Sequence, residues 1–131
     1  EATEEKALHQ LMQIASDISD EIYFVDSVKR KSLHVAAVFT NNFTNHLLGT
    51  AAEILKKEHL PAQILQKLAS TTIENAFKQN PFEIQTGPAK RNDVNTIAAH
   101  LKYLKSIKDA SEIYSLLTEK IIRRQNRKIK S

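Results

Sequence analysis

Residues 32–58, SLHVAAVFTNNFTNHLLGTAAEILKKE, decide the fold. The stretch has no proline and a single glycine, Gly49, and its apolar residues recur at helical spacing, which predicts one long helix. At about 100° per residue Ala36, Phe43 and Leu47 share one face while Val38 and Leu48 lie nearly opposite, so apolar side chains run round most of the cylinder. A helix of that kind is expected to be buried between neighbours. Polar residues interrupt it: on regular α geometry His34, Asn41 and Asn45 fall within about 40° of one another, with Asn42 about 80° from His34. A polar seam in a buried helix is either a hydrogen-bonded network that fixes register or a set of groups that faces a ligand.

On the N-terminal side, residues 3–19 read as an amphipathic helix with Leu8, Leu11, Met12, Ala15 and Ile18 on one stripe. Ile22-Tyr23-Phe24-Val25 then reads as a short strand, β-branched and aromatic. No second strand is predicted to pair with it, so its partner is expected in another copy or upstream. The chain starts at Glu1 rather than Met, which fits a processed protein or a piece of a longer one. On the C-terminal side, Pro61 is expected to open a helix that runs to about Lys78. Asp93 is expected to cap a helix with Val94, Ile97, Ala98, Leu101 and Leu104 on its stripe. Asp109 and Glu112 resemble a capping box that opens a last helix. The predicted class is mainly α: about five helices, one of them long and central, with one leftover N-terminal strand.

The whole chain has 131 residues, 41% hydrophobic and 26% charged, and fits one soluble globular domain. It has no cysteine, which excludes disulfides, thiolate catalysis and cysteine-held zinc. No apolar run approaches the roughly 20 residues of a membrane-spanning helix, and a cytoplasmic location is expected. The five histidines show no metal-ligand spacing, so no metal is expected. Neither glycine-rich phosphate motif occurs. The formal charge of +4 is uneven: the last nine residues, RRQNRKIKS, hold five cations and no acid. That end is either a solvated helix terminus or a footprint for nucleic acid or an acidic partner. With no aromatic residues interleaved to stack on bases, the solvated terminus is the better reading.

Two places could carry chemistry. One is the polar seam, where His34 would be a proton donor near neutral pH and Asn41, Asn42 and Asn45 would supply hydrogen bonds. The other is the stretch QTGPAKRND, residues 85–93, at the end of a fourteen-residue connection from 79 to 92. That connection is longer than ordinary links between bundled helices. Gly87 tolerates positive φ, Pro88 stiffens the backbone, and Thr86, Arg91 and the start of the next helix could hold an anion.

Taken together, LHVAAVFTNNFTNHL, then QTGPAKRND, then HLKYL resemble one family over roughly residues 31–122. It is the helical C-terminal domain of unknown function found behind a Rossmann-like NADP-binding domain. Such proteins are often labelled deazaflavin-dependent NADP oxidoreductase-like, and the domain resembles the 6-phosphogluconate dehydrogenase C-terminal domain. The motif positions are His34, Asn42, Thr86, Gly87, Pro88, Arg91, Asp93 and His100. In ketopantoate reductase, a better-studied relative, this helix carries Lys and Asn one turn apart; here His34 stands first and Asn41 and Asn42 follow seven and eight residues on.

The resemblance implies that residues 1–30 are the last helix and strand of a Rossmann-like domain and that 31–131 form a helical dimerisation and substrate-side domain. It implies His34 and Asn42 as catalytic residues, with Thr86, Gly87, Arg91, Asp93 and His100 facing substrate or cofactor; Asn41 and Asn45, placed on the seam by helical spacing, are expected to face it as well. Thr86 and Arg91 would share the cleft of His34 and Asn42. It further implies NADP as cofactor of the full-length protein, not held by this chain alone, together with a small-molecule substrate and a homodimer. The alternative is a non-enzymatic helical module that binds nucleic acid or an acidic partner through its basic end.

Overall fold

Among the described residues, 5–129 of this computed structural model, every regular element is helical. The chain divides into two compact units, Glu1–Gly49 and Thr50–Ser131, and each is taken by itself.

The first unit opens with α1 (Glu5–Ile18). The Ile22–Val25 stretch, read from its composition as a strand, forms none: residues 21–26 are irregular. A strand exists only through a partner's hydrogen bonds, and the described residues supply none. The Asp26 carboxylate then caps α2 (Ser27–Ala37), accepting from the Lys29 N–H at 2.8 Å. Helical backbone continues through a π-helical turn, Val38–Phe43, into α3 (Thr44–Lys57). The long helix is therefore present, starting five residues earlier than expected and interrupted by one wide turn.

The expectation that this helix is buried does not hold within the single chain. Leu33, Val35, Phe39, Phe43, Leu47 and Leu48 are all exposed. Among the described residues these side chains stay open to solvent, so the helix keeps its apolar character without burial.

In the second unit α3 ends in a Schellman motif. The Leu60 N–H reaches the Leu55 carbonyl and the His59 N–H the Lys56 carbonyl, both at 3.1 Å, with His59 left-handed at φ 55°. Pro61 precedes a 3-10 turn, Ala62–Leu65, rather than opening an α-helix directly; α4 (Gln66–Lys78) follows. A four-residue helix, α5 (Pro88–Arg91), breaks up the connection that was expected to be loop. Then come α6 (Val94–Leu104) and α7 (Lys108–Ile129), with Asp109 inside the first turn of α7 rather than ahead of it. The core sits where α5, α6 and α7 meet, on buried Ala89, Leu104 and Ala110. Two of the three are alanines, which lets these helices approach closely.

Candidate functional site

The π turn sets the geometry of the polar seam. A π turn holds one residue more than an α turn, so everything beyond it lags by about one position, or about 100°. Asn45, in line with His34 on regular α geometry, is carried about 80° to the other side. Asn41, within the turn, is carried off the same way. Asn42 moves from about 80° away to within about 30° of the His34 direction, some 12 Å further along the axis. By that pitch arithmetic the seam is redistributed: His34 and Asn42 fall toward one face, and Asn41 and Asn45 toward another. All four side chains are exposed.

Several local contacts gather at the turn. The segment is a short repeat, Phe39-Thr40-Asn41-Asn42-Phe43-Thr44. The Thr40 hydroxyl donates to the Ala36 carbonyl at 3.0 Å, and the Thr44 hydroxyl reaches back five residues to the Phe39 carbonyl at 3.4 Å. Hydroxyls that bond preceding carbonyls loosen the α ladder. The Phe39 and Phe43 rings stack edge to face, 4.9 Å between centroids, on one side of the turn. These Thr and Phe pairs, each four residues apart, are the signal that a constant-pitch reading passes over.

The second set of candidates lies in the other unit. Gly87 has φ 97° and ψ 176°, a conformation that side-chain-bearing residues avoid, and Pro88 follows as the first residue of α5. Asn92, left-handed at φ 52°, ends α5, and the Asp93 N–H returns to the Pro88 carbonyl at 2.9 Å. Asp93 then caps α6: its carboxylate accepts from the Thr96 N–H at 3.1 Å and from the Thr96 hydroxyl at 2.7 Å. The hydroxyl bond first, then the N–H bond, holds the Asp93 carboxyl below the usual range, with smaller help from Arg91 and His100 nearby. Arg91 and Thr86 are exposed.

His100 does not stand alone. Its Nδ1 lies 2.9 Å from the Tyr114 hydroxyl, the rings meet edge to face, and the pair ties α6 to α7. Lys90, half-buried, donates to the Gln125 side chain and ties α5 to α7. Tyr114 and Gln125 escape a sequence reading because their partners are 14 and 35 residues away.

The basic end is partly engaged. Arg123 pairs with Glu119 at 2.6 Å, and the Arg124 guanidinium lies over the Phe82 ring at 3.3 Å. Lys130 and the side chain of Lys128 fall outside the described residues. A shallow groove of about 280 Å³ between α6 and α7 is lined by Leu101, Ser115, Thr118, Ile122 and the Glu119–Arg123 pair. Among the described residues no group of acids and histidines has the arrangement of a metal site, and no helix is long and apolar enough to cross a membrane.

Fold and site together define an all-α domain with a π-interrupted long helix and a Gly-Pro-stiffened turn ahead of a capped helix. The chain belongs to the family described as "Domain of unknown function (DUF2520)", which it matches over residues 1–121. It is also similar to the crystal structure of a protein from Bacteroides fragilis described as a "putative NADP oxidoreductase", with a TM-score of 0.90 and 42% identity. That likeness covers 94% of this chain and 48% of the other, so the chain spans about half the length of that relative. A comparison with curated proteins gives no match.

Proposed function

We propose that this chain is the helical C-terminal part of an NADP-dependent oxidoreductase, where it supplies a dimerisation surface and the substrate-side wall of the active-site cleft. The observation that carries this reading is the 42% identity over 94% of the chain to the Bacteroides protein and the oxidoreductase description of that relative. In this reading residues 1–30 complete an N-terminal Rossmann-like domain, and the partner of the strand-like Ile22–Val25 is the sheet of that domain. Residues 31–131 are the helical domain.

In this reading the dinucleotide cradle lies outside this chain. Of its two glycines, Gly49 lies inside α3 and Gly87 heads a four-residue helix, so no glycine-rich turn meets a long helix N-terminus. NADP would be held by the N-terminal domain and would supply reducing equivalents there. What this chain contributes is polar groups for the substrate. His34 would carry a proton for a substrate oxygen, and Asn42, on the same face, would orient that substrate through its amide. Arg91, with Thr86, would hold an anionic group. His100 would have a positioning role, since its ring is tied to Tyr114.

The exposed apolar residues of the long helix and of α4, among them Leu33, Phe39, Leu68 and Phe77, support association with a second copy. In calorimetry the 131-residue chain should not bind NADPH, whereas the full-length protein should. Full-length His34→Ala should oxidise NADPH against carbonyl compounds at least tenfold more slowly with cofactor affinity intact. Tight NADPH binding by the chain alone, or unchanged turnover in His34→Ala, would overturn this assignment.

A further inference from the structure

We infer that the π turn Val38–Phe43 is a positioning device, held by the Thr40 and Thr44 hydroxyls, that brings Asn42 onto the His34 face. The geometry stands on the helix itself; only the chemistry done by His34 and Asn42 rests on the oxidoreductase reading.

The argument begins with the hydrogen-bond ladder. Where an α-helix widens into a π turn, carbonyls change partners, and the change costs helix stability unless other donors take part. At the entry the Thr40 hydroxyl donates to the Ala36 carbonyl, and at the exit the Thr44 hydroxyl donates to the Phe39 carbonyl. The Thr44 N–H goes to the Asn41 carbonyl, so residue 44 serves both sides of the junction. Phe39 and Phe43 lock edge to face across the same turn. Two hydroxyls and one ring pair are thus concentrated on six consecutive residues.

The consequence is one of phase. With regular α pitch from Ser27 to Lys57, His34 would face Asn41 and Asn45. The extra residue turns both away and brings Asn42 round instead. Asn41 and Asn42 are chemically identical, so the turn selects between two neighbouring amides by rotation alone. Thr40 and Thr44 act through Asn42 and are positioning residues, not catalytic ones.

The chain has no cysteine, so spin labels can be placed at will. Dipolar EPR on the 131-residue chain would compare labels at 34 and 42 with labels at 34 and 45. In the native helix the 34/42 pair should be the nearer to eclipsed. Thr40→Val with Thr44→Val should lengthen the 34/42 distance and shorten the 34/45 distance by several ångströms as the turn relaxes to α pitch. Thr40→Ser with Thr44→Ser, which keeps both hydroxyls, should restore the native pattern. Unchanged distances in the valine variant, or a serine variant that behaves like valine, would overturn the inference.

A second arm uses the full-length protein. There the valine variant should lose turnover to the extent that Asn42→Ala does, with NADPH affinity retained. If the distances shift while turnover holds, the positioning device stands and the role given to Asn42 in the oxidoreductase reading falls.

Discussion

The Tyr103 hydroxyl donates to the Glu58 carboxylate at 3.0 Å, joining the last turn of α6 to the C-cap of α3 across 45 residues of sequence. Beside it the Lys57 ammonium donates to the Ser106 hydroxyl at 2.9 Å. Neither pair is buried. They flank His59, a non-glycine residue that holds the left-handed position ending α3.

The Tyr103–Glu58 bond gives the first prediction. The bond to Glu58 first, with partial desolvation and the Glu58 charge adding to it, raises the Tyr103 phenol above its ordinary value. A raised acid is stabilising in its protonated form. The contribution is therefore fully present below the ordinary phenol range and is lost as pH rises through the raised folded value. Phenolate absorbance should show one tyrosine ionising late. Glu58→Gln should move that step back toward the ordinary range, and Tyr103→Phe should remove it. A late step that survives Tyr103→Phe would refute the assignment.

Asp93 works in the opposite direction. Its carboxyl is lowered by the two bonds from Thr96, so its contribution is present above the ordinary carboxylate range. It is lost as pH falls through the lowered folded value. Thermal melts between neutral and strongly acid pH should therefore show an acid limb that flattens in Asp93→Ala. Asp93→Asn should keep part of the cap at neutral pH but lose that pH dependence. An unaltered acid limb in both variants would show that other carboxyls set it.

Gly87 tests the backbone argument. A β-carbon added there meets nothing within 4 Å, so crowding is not the constraint. The constraint is the φ of 97°, and Gly87→Ala should cost about 1–3 kcal/mol in denaturant unfolding. Because the space is open, Gly87→Ser should cost about the same as Gly87→Ala. A much larger penalty for serine would mean that packing, not conformation, selects glycine.

These local features were the ones legible in the sequence. Gly87, Pro88 and Asp93 act through their own backbone and the next few residues, so their behaviour follows from residue type. The helices were legible because apolar spacing marks them. The π turn was not, because reading faces from spacing assumes constant pitch, and the Phe-Thr repeat at residues 39–44 looks like ordinary helix filling. The Ile22–Val25 strand failed for the complementary reason: β-forming composition states a preference that only a partner can satisfy. His100 was legible as a candidate, but its Tyr114 partner depends on how α6 meets α7.

Burial supplies the last prediction. Leu104 is one of the few apolar side chains withdrawn from water, at 5% exposure, between the helices that form the core of the second unit. Leu104→Ala removes most of that side chain from a packed site and should cost about 2–5 kcal/mol in urea unfolding. Leu33 and Leu68 are 58% and 66% exposed, so truncating either should change the stability of a monomer by much less. If these faces join two copies, Leu33→Glu and Leu68→Glu should shift light-scattering mass toward the monomer while leaving helical circular dichroism intact. Leu104→Ala should instead lower the unfolding midpoint at every protein concentration. A wild-type chain that is monomeric at high concentration would remove the second copy as the partner of these faces.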